Sequence, residues 1–168
     1  MPALVVKIGG SLFDWPLLRT KLSAWLGAHV PLGTMLVPGG GPFADGVRAQ
    51  DADDETAHWL ALESMSQAAG FLREILGVNK WSILDAYAFC AEDEFEQYAL
   101  PHSWNVTSDS VAARAAERFG AELMLLKSTD PPHGTIADWA AAGYVDRYFP
   151  TIATRANLKV QAVNLRAY

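Results

Sequence analysis

The chain has 168 residues, of which 51% are apolar and 19% charged. That is the composition of one packed globular domain rather than a disordered segment. Thirteen basic against nineteen acidic residues give a net charge of -6, which argues against a general polyanion binder, so no nucleic-acid partner is expected. The single Cys90 and four scattered histidines offer neither a disulfide nor a zinc-ligand spacing, and no protein-held metal is expected. The sequence shows no signal-like start and no long apolar run, so the expected setting is the cytoplasm, away from membranes.

Residues 3–8 form an apolar, β-branched run that breaks at Gly9-Gly10-Ser11, the pattern of a buried parallel strand ending in a loop. Asp14 and Pro16 announce a helix with Leu18, Leu22, Trp25 and Leu26 on its apolar face. Residues 34–37 repeat the strand, Pro38-Gly39-Gly40-Gly41-Pro42 the loop, and 43–50 a short helix. Two such units in succession predict a parallel sheet. Residues 51–55 read as an acidic connector, and Thr56 as the cap of a long helix that runs to Leu76 and stops at Gly77. Its stripe is Trp59, Leu62, Met65, Ala69, Leu72 and Leu76.

Residues 82–84 read as a short strand, whereas 87–100 mix aromatic and acidic side chains and fit neither period. Thr107 or Ser108 caps a helix through Phe119, Gly120 ends it, and residues 123–126 make the next strand. Pro131-Pro132-His133-Gly134 forces a turn. Residues 138–142 and 150–156 read as helices, and 160–163 as a last strand.

A glycine pair after a buried strand frees backbone N–H groups and lets an anion approach, since no Cβ stands in the way. Such a pair occurs at Gly9 and Gly10, beside Lys7 and Ser11, and again at Gly39, Gly40 and Gly41. Open α/β sheets bind ligands where such loops leave adjacent strands. Neither loop has the spacing of a P-loop or of the dinucleotide fingerprint. Lys7, near the end of an apolar strand, must find an anion or snorkel to solvent. Asn105 and Asp109, four apart around a helix start, can face one site. Asp109 can orient lysines or hold a metal through water; Ser108 and Asp109 can equally be plain helix caps. His58 beside Trp59 reads by itself as a half-buried surface histidine.

Three segments in this order resemble the amino acid kinase family, to which acetylglutamate kinase, aspartokinase and uridylate kinase belong: Val5 to Ser11 (VVKIGGS), Val37 to Ala44 (VPGGGPFA) and Asn105 to Ser110 (NVTSDS). His102-Ser103-Trp104, Phe149-Pro150 and Val163-Asn164 with Arg166 are most similar to the branch that phosphorylates aminomethylfuranyl-methyl phosphate in methanofuran and methylofuran assembly. The resemblance implies a single domain over residues 1–168, an α/β fold with a three-layer αβα sandwich around a mainly parallel open sheet. It also implies an ATP-dependent kinase acting on a small phosphorylated acceptor, with magnesium carried by the nucleotide phosphates. Lys7 would neutralise the transferred group, while Gly9, Gly10 and Ser11 would hold nucleotide phosphates. Gly39, Gly40, Gly41 and Asn105 would bind the acceptor, with His58 and Met65 lining its ring.

Asp109 would organise Lys7 and a second lysine, for which Lys127 and Lys159 rank equally. Where the family has a T-D-V-D-G-like turn for the nucleoside, this chain has Lys127-Ser128-Thr129-Asp130-Pro131; Asp130 is the expected nucleotide contact in this shortened half. An amino-acid carboxylate acceptor would need an arginine, and Arg48 is the candidate. A non-catalytic relative that binds a phosphorylated metabolite or a protein is the further alternative. A homodimer is expected from the frequency of symmetric dimers and from aromatics such as Trp81 and Trp139, for which surface and core readings are equally open.

Overall fold

The computed structural model describes residues 1–77 and 81–168. Its five strands, β1 (Leu4–Ile8), β2 (Met35–Pro38), β3 (Ser82–Ile83), β4 (Glu122–Lys127) and β5 (Val160–Asn164), form one sheet in the order β3-β2-β1-β4-β5. Every neighbouring pair is parallel. The helices are α1 (Leu18–His29), α2 (Asp45–Arg48), α3 (Asp54–Leu76), α4 (Ala86–Asp93), α5 (Ser108–Phe119), α6 (Ile136–Ala141) and α7 (Phe149–Arg155). No described helix is long and apolar enough to cross a membrane.

Side chains alternate between the faces of a strand, and the two faces carry two cores. Val5, Val37, Leu123 and Leu125 pack with residues of α3, α4, α5 and α7. Val6, Ile8, Leu36 and Leu126 pack with Leu18, Leu22, Trp25 and Leu26 of α1. The result is the expected αβα sandwich. The long helix α3 serves both layers: Leu62 and Met65 belong to the first core and Leu72 to the second. Its stripe therefore bends round the sheet edge instead of facing one layer.

Several local expectations change. Asp53, not Thr56, caps α3: its side chain accepts the Thr56 N–H at 2.8 Å, so the acidic connector supplies the first helical turn. The stop at Gly77 stands, at φ 85. The first part of 87–100 belongs to α4, which starts at Ala86 and is capped by the Asp85 side chain. The acidic stretch misled because Asp93, 1% exposed, is a core residue paired with Arg114 and Arg118. Asp138 is the third residue of α6, in a capping box with Thr135, not its start. Trp81 and Trp139, left open by the sequence, are half-buried against the two cores.

Candidate functional site

Strand alternation puts Lys7 on the face of Val5, beneath α5, where it is 3% exposed. Its register partner in β4 is Leu125. Lys127 stands two residues further on and so shares that face. Asp109, in the first turn of α5, meets both: Lys7 Nζ lies 2.8 Å from Oδ1, and Lys127 Nζ lies 2.9 Å from Oδ1 and 3.0 Å from Oδ2. Burial by itself would raise the Asp109 carboxyl, but the Lys7 and Lys127 ammoniums outweigh it and hold the group below the usual carboxylate range. Burial, then the charge of Lys7, pushes Lys127 down to about 8. Lys127 also donates to the Tyr144 carbonyl at 2.6 Å and stands 5.1 Å from that ring's centroid. Two ammoniums on one carboxylate leave excess positive charge for an anion to neutralise.

The start of α5 is fixed from a distance. Thr107 occupies the cap position without a side-chain cap bond, and neither Ser108 nor Asp109 supplies one. The carboxylate of Asp146 does so. It accepts six hydrogen bonds, from the N–H and hydroxyl of Thr107, the N–H and hydroxyl of Ser110, and the N–H groups of Tyr148 and Phe149. Asp109 is thereby released from capping and free to face the lysines. Sequence reasoning missed Asp146, because the contact spans 36 to 39 residues and carries no local motif.

The two glycine loops touch. A Cβ on Gly10 would stand 2.6 Å from the Gly41 nitrogen, and one on Gly39 would stand 2.7 Å from the Gly10 nitrogen. Gly41 itself has φ +50, in the left-handed region. Not every loop N–H is available. Gly9 donates to the Leu126 carbonyl and Gly39 to the Ile8 carbonyl, both at 2.8 Å, extending the sheet by one residue. The N–H groups of Gly10, Ser11, Gly40 and Gly41 have no backbone partner among the described residues. The donor set is thus shifted one residue into each loop. The first loop is braced by Ser11 Oγ against Ser128 Oγ at 2.8 Å, and by Arg166, which donates to the Ser11 carbonyl at 2.9 Å.

A cavity of about 460 Å³ opens above the loops, lined by Lys7, Gly10, Gly40 and Gly41 at its base, by Ala57, His58, Leu62 and Met65 of α3, and by Trp104. A second cavity, of about 690 Å³, reaches the same cluster from the other side through Asp109, Lys127, Tyr144 and Asn105. The charged cluster is the partition between them.

No family model and no curated protein matches this sequence. Among solved structures, the chain is similar to the crystal structure of uridylate kinase from Archaeoglobus fulgidus, with a TM-score of 0.62 over 96% of this chain and 90% of that one, at 16% identity. The fold is amino acid kinase-like.

Within this amino acid kinase-like frame, the structure separates the remaining expected residues. Lys159 precedes β5 at the opposite end of the strands from the cluster, 80% exposed at its side chain and paired with Glu122 at 3.1 Å. Parallel strands bring their carboxyl ends together, and Lys159 is at an amino end. Asn105 lines the second cavity and not the first. Arg48 reaches the rim of the first cavity but is exposed and held by Asp45 at 2.9 Å. Asp130 is exposed and lines neither cavity, although its charge helps raise Tyr144, after burial and Asp109, to about 12. His58 is 8% exposed rather than half-buried. Among the described residues there is no group of three His, Cys, Asp or Glu side chains able to hold a metal.

Proposed function

We propose that the protein is a phosphotransferase that moves a phosphoryl group from ATP to a small phosphate-bearing acceptor, a ring-bodied monoester of the aminomethylfuran type. The observation that carries this reading is the pair of lysines on one buried carboxylate, set between two cavities and above two glycine loops in van der Waals contact. In-line transfer forms a bond from an acceptor phosphate oxygen to the γ-phosphorus and breaks the bond to the β-bridging oxygen. It asks the protein to align the reactants and neutralise charge, and requires no nucleophilic side chain.

In this reading the acceptor occupies the first cavity, its phosphate against the N–H groups of Gly10, Gly40 and Gly41. The nucleotide enters from the second cavity, past Lys127. Lys7 meets the group in transit, Lys127 the donor phosphates, and Asp109 positions both ammoniums. Magnesium bound to the nucleotide would add charge neutralisation. Both Asp109 oxygens are occupied by lysines, so the ion is assigned to phosphate oxygens rather than to the protein.

The test is thermal unfolding with and without ATP and magnesium. A ligand held only by the folded state, at about one hundred times its Kd, stabilises by about 2.7 kcal/mol, or about 5 °C or more at this size. No shift at millimolar nucleotide would favour a relative that binds a phosphorylated metabolite without transferring phosphate.

A further inference from the structure

Asp14, Asp45, Arg48 and Asp54 also line the first cavity, and along α3 His58 stands among the apolar Ala57, Ala61, Leu62 and Met65. His58 is 8% exposed and has a buried Nε2 with no hydrogen-bond partner among the described residues. A buried ring nitrogen left unpaired is costly, and native proteins rarely keep one without a use.

The ring is also held in place deliberately. His102 stacks on it with centroids 4.1 Å apart and planes 16° from parallel. His102 in turn has Nδ1 on the Glu55 carboxylate and Nε2 on the Glu94 carboxylate, the latter at 2.8 Å. Two carboxylates facing both ring nitrogens favour the form of His102 that carries two N–H donors. Burial opposes that charged form, but the hydrogen bonds to Glu55 and Glu94 hold His102 above the ordinary histidine range. His58 is driven the other way: burial, then the adjacent His102 charge, pushes it down to about 4. Near neutral pH, His58 is an uncharged imidazole with one donor and one acceptor nitrogen.

The geometry points to His58 as a specificity-determining residue of this cavity, pairing through its unpartnered ring nitrogen with a hydrogen-bonding group in the body of the phosphate ester bound there. This inference rests on the phosphate-site reading above and adds the chemistry of the acceptor's body. A hydroxyl suits either tautomer, because it can both give and take a hydrogen bond. Sites built around such a pairing discriminate strongly against the analogue that lacks it.

The test is calorimetric titration of the native protein near neutral pH with inorganic phosphate, 2-phenylethyl phosphate, and the ortho, meta and para isomers of 2-(hydroxyphenyl)ethyl phosphate. At least one isomer is expected to bind about tenfold or more tightly than the parent ester. In His58→Phe, which keeps a stacking ring and removes the nitrogens, that margin should shrink to within about twofold. No margin in the native protein, or a margin that survives His58→Phe, overturns the proposal. If His58→Phe does not fold, the ring nitrogens of His58 are followed by ¹⁵N NMR in the native protein. They should shift with the preferred isomer and not with the parent, and equal responses overturn the proposal. Absence of binding by inorganic phosphate and by every ester is a different failure, because it removes the phosphate site itself and the inference with it.

Discussion

Lys127 grips both oxygens of Asp109, at 2.9 and 3.0 Å. It does so from the last position of β4. Lys159, equally eligible by residue type, sits at the amino end of β5 and pairs with Glu122 in solvent. Replacing Lys127 with Met is expected to weaken ATP–magnesium binding by about 10- to 100-fold, the loss of one charge-assisted hydrogen-bond donor. Lys159→Met is expected to stay within about twofold, as an exposed pair contributes little. Calorimetric titration of both variants decides between them, and equal losses would return the second cation to Lys159.

A pH dependence follows from Lys127, whose buried ammonium has its pKa pushed down to about 8. Below that value Lys127 is charged and attracts anions; above it the charge is lost. Phosphate affinity is therefore expected to fall as pH rises through about 8, and the step should vanish in Lys127→Met. Stability moves the opposite way for this group. Between about 8 and the ordinary value of 10.5, the unfolded chain holds a proton that the folded chain has released, so raising the pH favours the fold. Asp109 has the acid-side counterpart: with its folded pKa lowered, its contribution is present above the ordinary carboxylate range and is lost as pH falls through the folded value. Phosphate titrations across about pH 6 to 10 would settle the first point; a flat profile would detach Lys127 from anion binding.

Contact between the glycine loops is tested by Gly10→Ala. The added methyl would meet the Gly41 nitrogen at 2.6 Å and its Cα at 2.8 Å, both backbone atoms. The loops must part, at an expected cost of about 1–3 kcal/mol and with loss of phosphate binding. Gly46→Ala is the control: it lies in α2, with nothing within 4 Å of the new methyl, and should be neutral or slightly stabilising. Chemical denaturation of the two variants, read side by side, separates a steric effect at Gly10 from a general intolerance of alanine.

Asp146→Ala removes the acceptor of six hydrogen bonds at the start of α5. The expected destabilisation is about 2–4 kcal/mol, above that of an ordinary cap because several donors are orphaned together. Asp146→Asn should recover part of it. A loss no larger than an ordinary cap would show that solvent replaces the carboxylate at this helix end.

The parallel sheet, the two loops and the position of Lys7 were legible because each is written locally, as a β-branched run followed by glycines. The burial of Asp109 and its partner Lys127 was legible only in part. Asp109 sits in a motif, but whether it capped α5 or faced the lysines depended on Asp146, which lies beyond the next strand. The stretch 87–100 failed for a related reason. Acidic residues ordinarily mark a surface, and the Arg114 and Arg118 guanidiniums from α5, 2.8 and 2.6 Å from Asp93, turn one into a core residue. His58 escaped because its environment depends on His102 and Glu94, which arrive from segments outside α3.

The long-range seal on α5 also sets an order of biosynthesis. A nascent polypeptide that has emerged only as far as Phe119 holds Lys7 and Asp109, yet neither Lys127 nor Asp146 has been translated. Its first strands can align, but the helix start remains open to water. A premature stop before Asp146 would leave the Thr107 and Ser110 donors at the start of α5 without their acceptor.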